Sequence, residues 1–159
     1  MTTKNERYQK MFPLYREETG KNTLDMHEVA QWMMSRGVEA PKPKTPIDLL
    51  AEQLSIAARD EHIRDPETGW DYRRNHAYKV SSTDGKQLTL WVELETATRP
   101  QMEMSLANRR NQMLGDGTQM KIDESVWNKR NSDKEPINMV LDFTEDVNER
   151  LNSPQYIDE

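Results

Sequence analysis

Arginine and lysine beside amide and aromatic side chains form the densest chemically suggestive cluster in this chain, Tyr72-Arg73-Arg74-Asn75-His76 followed by Tyr78 and Lys79. Guanidinium and ammonium groups donate charge-assisted hydrogen bonds to phosphate, and asparagine donates and accepts, so this stretch is suited to a nucleic-acid backbone or a narrow minor groove. A second basic pair, Lys42 and Lys44, lies in the proline-bearing segment Val38-Glu39-Ala40-Pro41-Lys42-Pro43-Lys44. Arg109-Arg110-Asn111-Gln112 and Asn128-Lys129-Arg130-Asn131 carry the same chemistry at helical positions and read as ordinary helix surface.

Catalytic chemistry has little to stand on. His27, His62 and His76 have no partner at metal-ligand spacing, and His27-Glu28 lacks the second histidine of a metalloprotease helix; all three read as surface or capping residues. Gly115-Asp116-Gly117 follows a helical stretch rather than a strand and has no lysine placed for a nucleotide phosphate. With no cysteine, thiolate metal sites, disulfides and thiol nucleophiles are excluded. The expectation is a non-enzyme with no cofactor and no metal.

These residues must be positioned by elements that the apolar spacing outlines. Tyr8, Met11, Phe12 and Tyr15 recur at helical intervals between Asn5 and Glu18, with Pro13 inside the run and Gly20 after it. Met26, Val29, Ala30 and Met33 repeat the pattern from Leu24 to Arg36, with Thr23 or Asp25 as N-cap and Gly37 as the stop. Thr45-Pro46 opens a third helix ending near Asp60. Its inward face is expected to be Ile47, Leu50, Ala51, Leu54, Ala57 and Ala58; its outward face is Asp48, Glu52, Ser55 and Arg59. Asp65-Pro66-Glu67-Thr68-Gly69 is a turn, and Asp84-Gly85 is a hairpin turn between strands at Ala77 to Val80 and Gln87 to Val92.

Helix, helix, helix, hairpin is the order of a winged helix-turn-helix. The expected fold is therefore α+β and mostly helical: a winged helix-turn-helix-like N-terminal domain over 1–98, a helical extension over 99–131, and an acidic tail over 132–159. Leu106, Met113, Met120 and Trp127 recur every seven residues in the extension, but Gly115-Asp116-Gly117 is expected to split it into two helical pieces that pair with a second chain. In the tail, Ile137, Met139, Leu141 and Phe143 belong to a short apolar run suited to docking on a protein partner.

Charge distribution sharpens the choice of partner. The net charge of −6 resides in residues 135–159, which hold seven acids and one base, while residues 1–134 hold 21 of each sign. Mean hydropathy is −1.02, no stretch approaches a membrane span, and the N-terminus has no apolar signal segment, so a cytoplasmic location is expected. Two carboxylates on the outward face of the third helix would repel phosphate, which moves the expected contact from that helix to the hairpin and turn.

The segments Ala57 to Asp60, Tyr72 to Ala77 and Gly85 to Trp91, with Glu135 to Thr144, resemble a group of short uncharacterised bacterial winged helix-turn-helix-like proteins encoded near mobile elements. The resemblance spans about residues 46–146 and implies the fold class; it transfers no functional residues. The leading functional expectation is binding of double-stranded DNA through Lys42, Lys44, Arg73, Arg74, Asn75 and Lys79, as a transcriptional regulator or mobile-element accessory factor, with dimerisation through the extension. The alternative is a protein-interaction adaptor docking through Ile137, Met139, Leu141 and Phe143.

Overall fold

The computed structural model describes residues 1–153, which fold as an α+β chain. It divides into two compact units at Pro46, rather than at residue 98.

The first unit is a helix pair. Helix α1 (Lys4–Thr19) starts with a capping box: the Thr3 hydroxyl accepts from the Glu6 N–H at 3.2 Å, and the Glu6 carboxylate accepts from the Thr3 N–H at 2.7 Å. It runs through Pro13 and ends at Gly20, whose φ of 69° is the left-handed stop. Helix α2 (Met26–Ser35) is capped by Asp25, which accepts from the N–H groups of His27 and Glu28 and whose carboxyl is held below its ordinary range by them. Tyr15, Val29 and Met33 are buried between the helices, with Phe12, Leu24 and Trp32 packed against them. Tyr15 meets Trp32 edge to face at 5.5 Å and donates its hydroxyl to Glu28, which also pairs with Lys21.

The first unit holds only two of the three helices expected in the N-terminal domain. Helix α3 (Pro46–Asp60) buries no residue: Ile47, Leu50 and Leu54, expected to face inward, are 80%, 55% and 60% exposed. Within the first unit α1 and α2 cover each other's apolar faces, and Pro41 and Pro43 keep the segment after Val38 from continuing as helix.

The second unit begins with the body of α3 and adds two antiparallel hairpins, β1 (His62–Arg64) with β2 (Asp71–Arg73), and β3 (Asn75–Ser81) with β4 (Gln87–Glu93). Short isolated hairpins are marginal. Arg74 ties these two together: its N–H donates to the Glu61 carbonyl at 3.0 Å, and its carbonyl accepts from the Leu94 N–H at 2.7 Å. Its guanidinium lies 3.3 Å from Glu61, 3.6 Å from Glu93 and 3.9 Å from Glu95, and the charge of Glu93 is the main cause of its raised pKa.

Helix α4 (Arg99–Arg130) is one unbroken element of 32 residues rather than two pieces. A Thr98–Gln101 capping box with Pro100 starts it, and the Gln101 amide also donates to the Tyr78 hydroxyl at 3.2 Å, anchoring the helix on the hairpin. Gly115 and Gly117 lower helix propensity by about 1 kcal/mol each relative to alanine, too little to break a capped helix of this length. A Cβ at Gly115 would meet nothing within 4 Å, and one at Gly117 would meet the Leu141 methyls at an ordinary 3.7 Å. Gly115→Ala and Gly117→Ala should each therefore stabilise the chain by about 0.5–1 kcal/mol in urea titrations. A loss of stability in either would mean that α4 needs its glycines.

The apolar run after α4 lies extended along that helix. Asn128 clamps Ile137 from both sides, its Oδ1 accepting from the Ile137 N–H at 2.9 Å and its Nδ2 donating to the Ile137 carbonyl at 2.8 Å. Glu124 accepts from the Met139 N–H at 2.6 Å. The spacing is self-consistent, since two extended residues advance about 6.6 Å and one four-residue step of helix about 6 Å. Helix α5 (Thr144–Leu151) follows, an element the acidic composition of the tail had concealed. The final residues of the expected acidic tail, 154–159, lie outside the described residues.

Candidate nucleic-acid interface

Strand alternation prepares one side of the β3–β4 hairpin for polar contact. Val80 with Leu88, Tyr78 with Leu90 and His76 with Val92 share one face; Lys79 with Thr89, Ala77 with Trp91 and Asn75 with Glu93 share the other. On α4, Ser105, Asn108, Arg109 and Gln112 recur at three- and four-residue spacing and so lie on one side of the helix. Asn75, Ala77, Lys79, Thr89 and Trp91 of the hairpin's second face and these four residues of α4 line a cleft of about 170 Å³. Arg59, near the C-terminus of α3, and Arg73, the last residue of β2, complete it.

Four elements thus deliver one cation each: Arg59 from α3, Arg73 from β2, Lys79 from β3 and Arg109 from α4. Among the described residues, no carboxylate lines the cleft. Partial burial, and then the charge of Arg73, pull the Arg109 pKa below its ordinary value. Two guanidinium groups so placed repel each other, and an anion between them would remove that cost and gain charge-assisted hydrogen bonds.

The walls are held by local contacts. His76 is buried, contrary to its expected place on the surface, and its Nε2 donates to the Arg73 carbonyl at 2.9 Å, fixing the backbone at the β2–β3 junction. The Asn75 amide donates to the Ala58 carbonyl at 3.1 Å and to Glu61 at 2.7 Å, fastening the end of α3 to β3.

The sequence-derived contact set is thereby sorted. Arg73, Asn75 and Lys79 meet in the cleft, with Asn75 acting on its wall. Arg74 is adjacent in sequence, but its guanidinium is committed to Glu61, Glu93 and Glu95. Lys42 and Lys44 lie in the irregular segment that closes the first unit. Two of the cleft's cations stand outside that contact set: in sequence the segment Arg109-Arg110-Asn111-Gln112 reads as ordinary helix surface, and Arg59 as part of the outward face of the third helix. Arg109 was legible in principle, because Ser105, Asn108, Arg109 and Gln112 form a polar stripe at helical spacing; nothing local marks Arg59.

The residues expected to bind a partner, Ile137, Met139, Leu141 and Phe143, border α4 of their own chain. Leu141 and Phe143, with Val147 of α5 and Met113, Leu114 and Ile122 of α4, line an open groove of about 1050 Å³. Among the described residues there is no cluster of acidic or histidine side chains that could hold a metal ion, and no helix is long and apolar enough to cross a membrane. No family model matches the chain, nor does any curated protein or solved structure.

Proposed function

We propose that this protein binds nucleic acid, gripping the sugar-phosphate backbone in the cleft formed by Arg59, Arg73, Lys79 and Arg109. The observation that carries this reading is the convergence of four cations from four elements on a cleft that no carboxylate lines. An isolated basic strand on a charged surface would be answered by nearby acids, as Arg74 is. Here the acids lie outside the cleft and the amides of Asn108 and Gln112 lie within it.

In this reading DNA is the expected polymer, and a regulatory or mobile-element accessory role is the biological counterpart. The helix, helix, helix, hairpin order is the support for a winged-helix kinship, with the hairpin and α4 making the contact in place of the third helix. Lys42 and Lys44 supply a second basic contact from the first unit. Pairing of two chains through α4, whose Leu106 and Met113 are 50% and 62% exposed, would double the footprint.

The test is binding of a fluorescent oligonucleotide followed by anisotropy across salt concentrations. Neutralising about three or four phosphates predicts a log–log slope of roughly −2 to −4. Absence of binding at low salt would defeat the reading. A second reading, a protein-interaction adaptor, draws on the apolar groove beside Leu141 and Phe143, where the tail leaves α4 partly uncovered.

A further inference from the structure

The cleft has a shape and a lining that a duplex-backbone grip does not require. A duplex presents its phosphates in long rows and its bases in grooves, which proteins enter with a protruding helix or ribbon. Here the cations converge on a small concavity of about 170 Å³ instead of forming a stripe. An aromatic ring, Trp91, half-buried on β4, lines the same concavity, and the Asn108 and Gln112 amides face it from α4. Aromatic faces beside arginine, with amides able to meet base edges, are the means by which unpaired strands are held.

We infer that the cleft seats one nucleotide of a single-stranded nucleic acid, with its phosphate between Arg73 and Arg109 and its base stacked on Trp91. This rests on the nucleic-acid reading above and specifies the form of the polymer. The nucleotide must be splayed from its neighbours, because a base held in a duplex stack cannot stack on a ring that lines a concave site. DNA and RNA strands share the phosphate and the base face, so both are ligands by this chemistry, and sequence preference is weak because every base offers a π-face.

The experiment compares four probes on the full-length protein at low salt: a short oligo(dT), an oligo(U) of equal length, a duplex of equal length, and an abasic strand. Binding of oligo(dT), oligo(U) or both about tenfold or more tighter than the duplex and the abasic strand is the expected result, with quenching of tryptophan emission on saturation. Trp91→Ala should lose about tenfold in affinity for the preferred strand, while Trp91→Phe, which keeps a stacking face, should lose much less. Duplex binding as tight as single-strand binding would overturn the inference and leave the nucleic-acid reading standing. Equal binding of the abasic strand would overturn the base seat in the same way. Failure of all four probes to bind would overturn both.

Discussion

Arg109→Glu should abolish most nucleic-acid binding, by about a hundredfold at low salt, without lowering the melting temperature. The two outcomes come from one cause. In the native cleft the Arg109 charge is disfavoured by partial withdrawal from water and then by the nearby charge of Arg73. A glutamate at 109 replaces that repulsion with attraction and supplies an internal carboxylate where a ligand phosphate would sit. Binding then loses a cation and meets a competing anion, so the effect should exceed that of Arg109→Gln, which removes only the charge. Arg74→Gln should behave in the opposite sense. Removing that guanidinium leaves Glu61, Glu93 and Glu95 facing one another at the junction of the two hairpins, so melting should shift down by several degrees. The two variants separate a ligand-facing arginine from a structural one. If Arg109→Glu binds oligonucleotide as well as the parent, the cleft is not the site.

The contrast between two adjacent arginines also marks the limit of what the sequence discloses. Arg73 and Arg74 are equivalent members of a basic run on the page; strand alternation and the crossing of two hairpins at Arg74 send their side chains to different surroundings. Local signals read well. Gly20 and Gly85 have the positive φ angles their places after a helix and in a hairpin turn demanded, Asp25 caps α2, and the β3–β4 hairpin lies where Asp84-Gly85 placed it. What failed was the inference from an amphipathic pattern to its partner. The apolar set of α3 has helical periodicity, yet periodicity does not say what covers a face, and the rest of its own unit leaves Ile47, Leu50 and Leu54 exposed. The three-residue strands β1 and β2 are too short to carry a pattern. The glycines in α4 read as a break because their cost is visible locally, while the docked segment that packs beside Gly117 is not. The same gap between local and tertiary information hid Arg59 and Arg109, which join the basic run of residues 72–79 only when α3 and α4 meet the hairpin.

Val29→Asp should unfold the first unit and leave oligonucleotide binding in the second. A helix pair ending at Pro46 is near the lower size limit for independent stability, since so short a chain removes too little apolar surface from water to outweigh chain entropy by much. Its buried residues are Tyr15, Val29 and Met33, and Val29 is the most enclosed, at 2% exposure. A carboxylate there has no counter-charge and would cost several kcal/mol to bury, about as much as so small a core can supply. Loss of the edge-to-face contact between Tyr15 and Trp32 supplies the readout, as a collapse of near-ultraviolet circular dichroism and a red shift of the Trp32 contribution to fluorescence. Val29→Ala, which removes only packing, should instead cost about 1–3 kcal/mol and keep the aromatic signal. Because every residue of the basic cleft lies from Arg59 onward, the Asp variant should lose only what Lys42 and Lys44 contribute, a modest change in salt dependence rather than loss of binding. An intact aromatic signal in Val29→Asp would show that the first unit has stability its own core does not account for. Complete loss of oligonucleotide binding would show instead that the two units share the work of the interface.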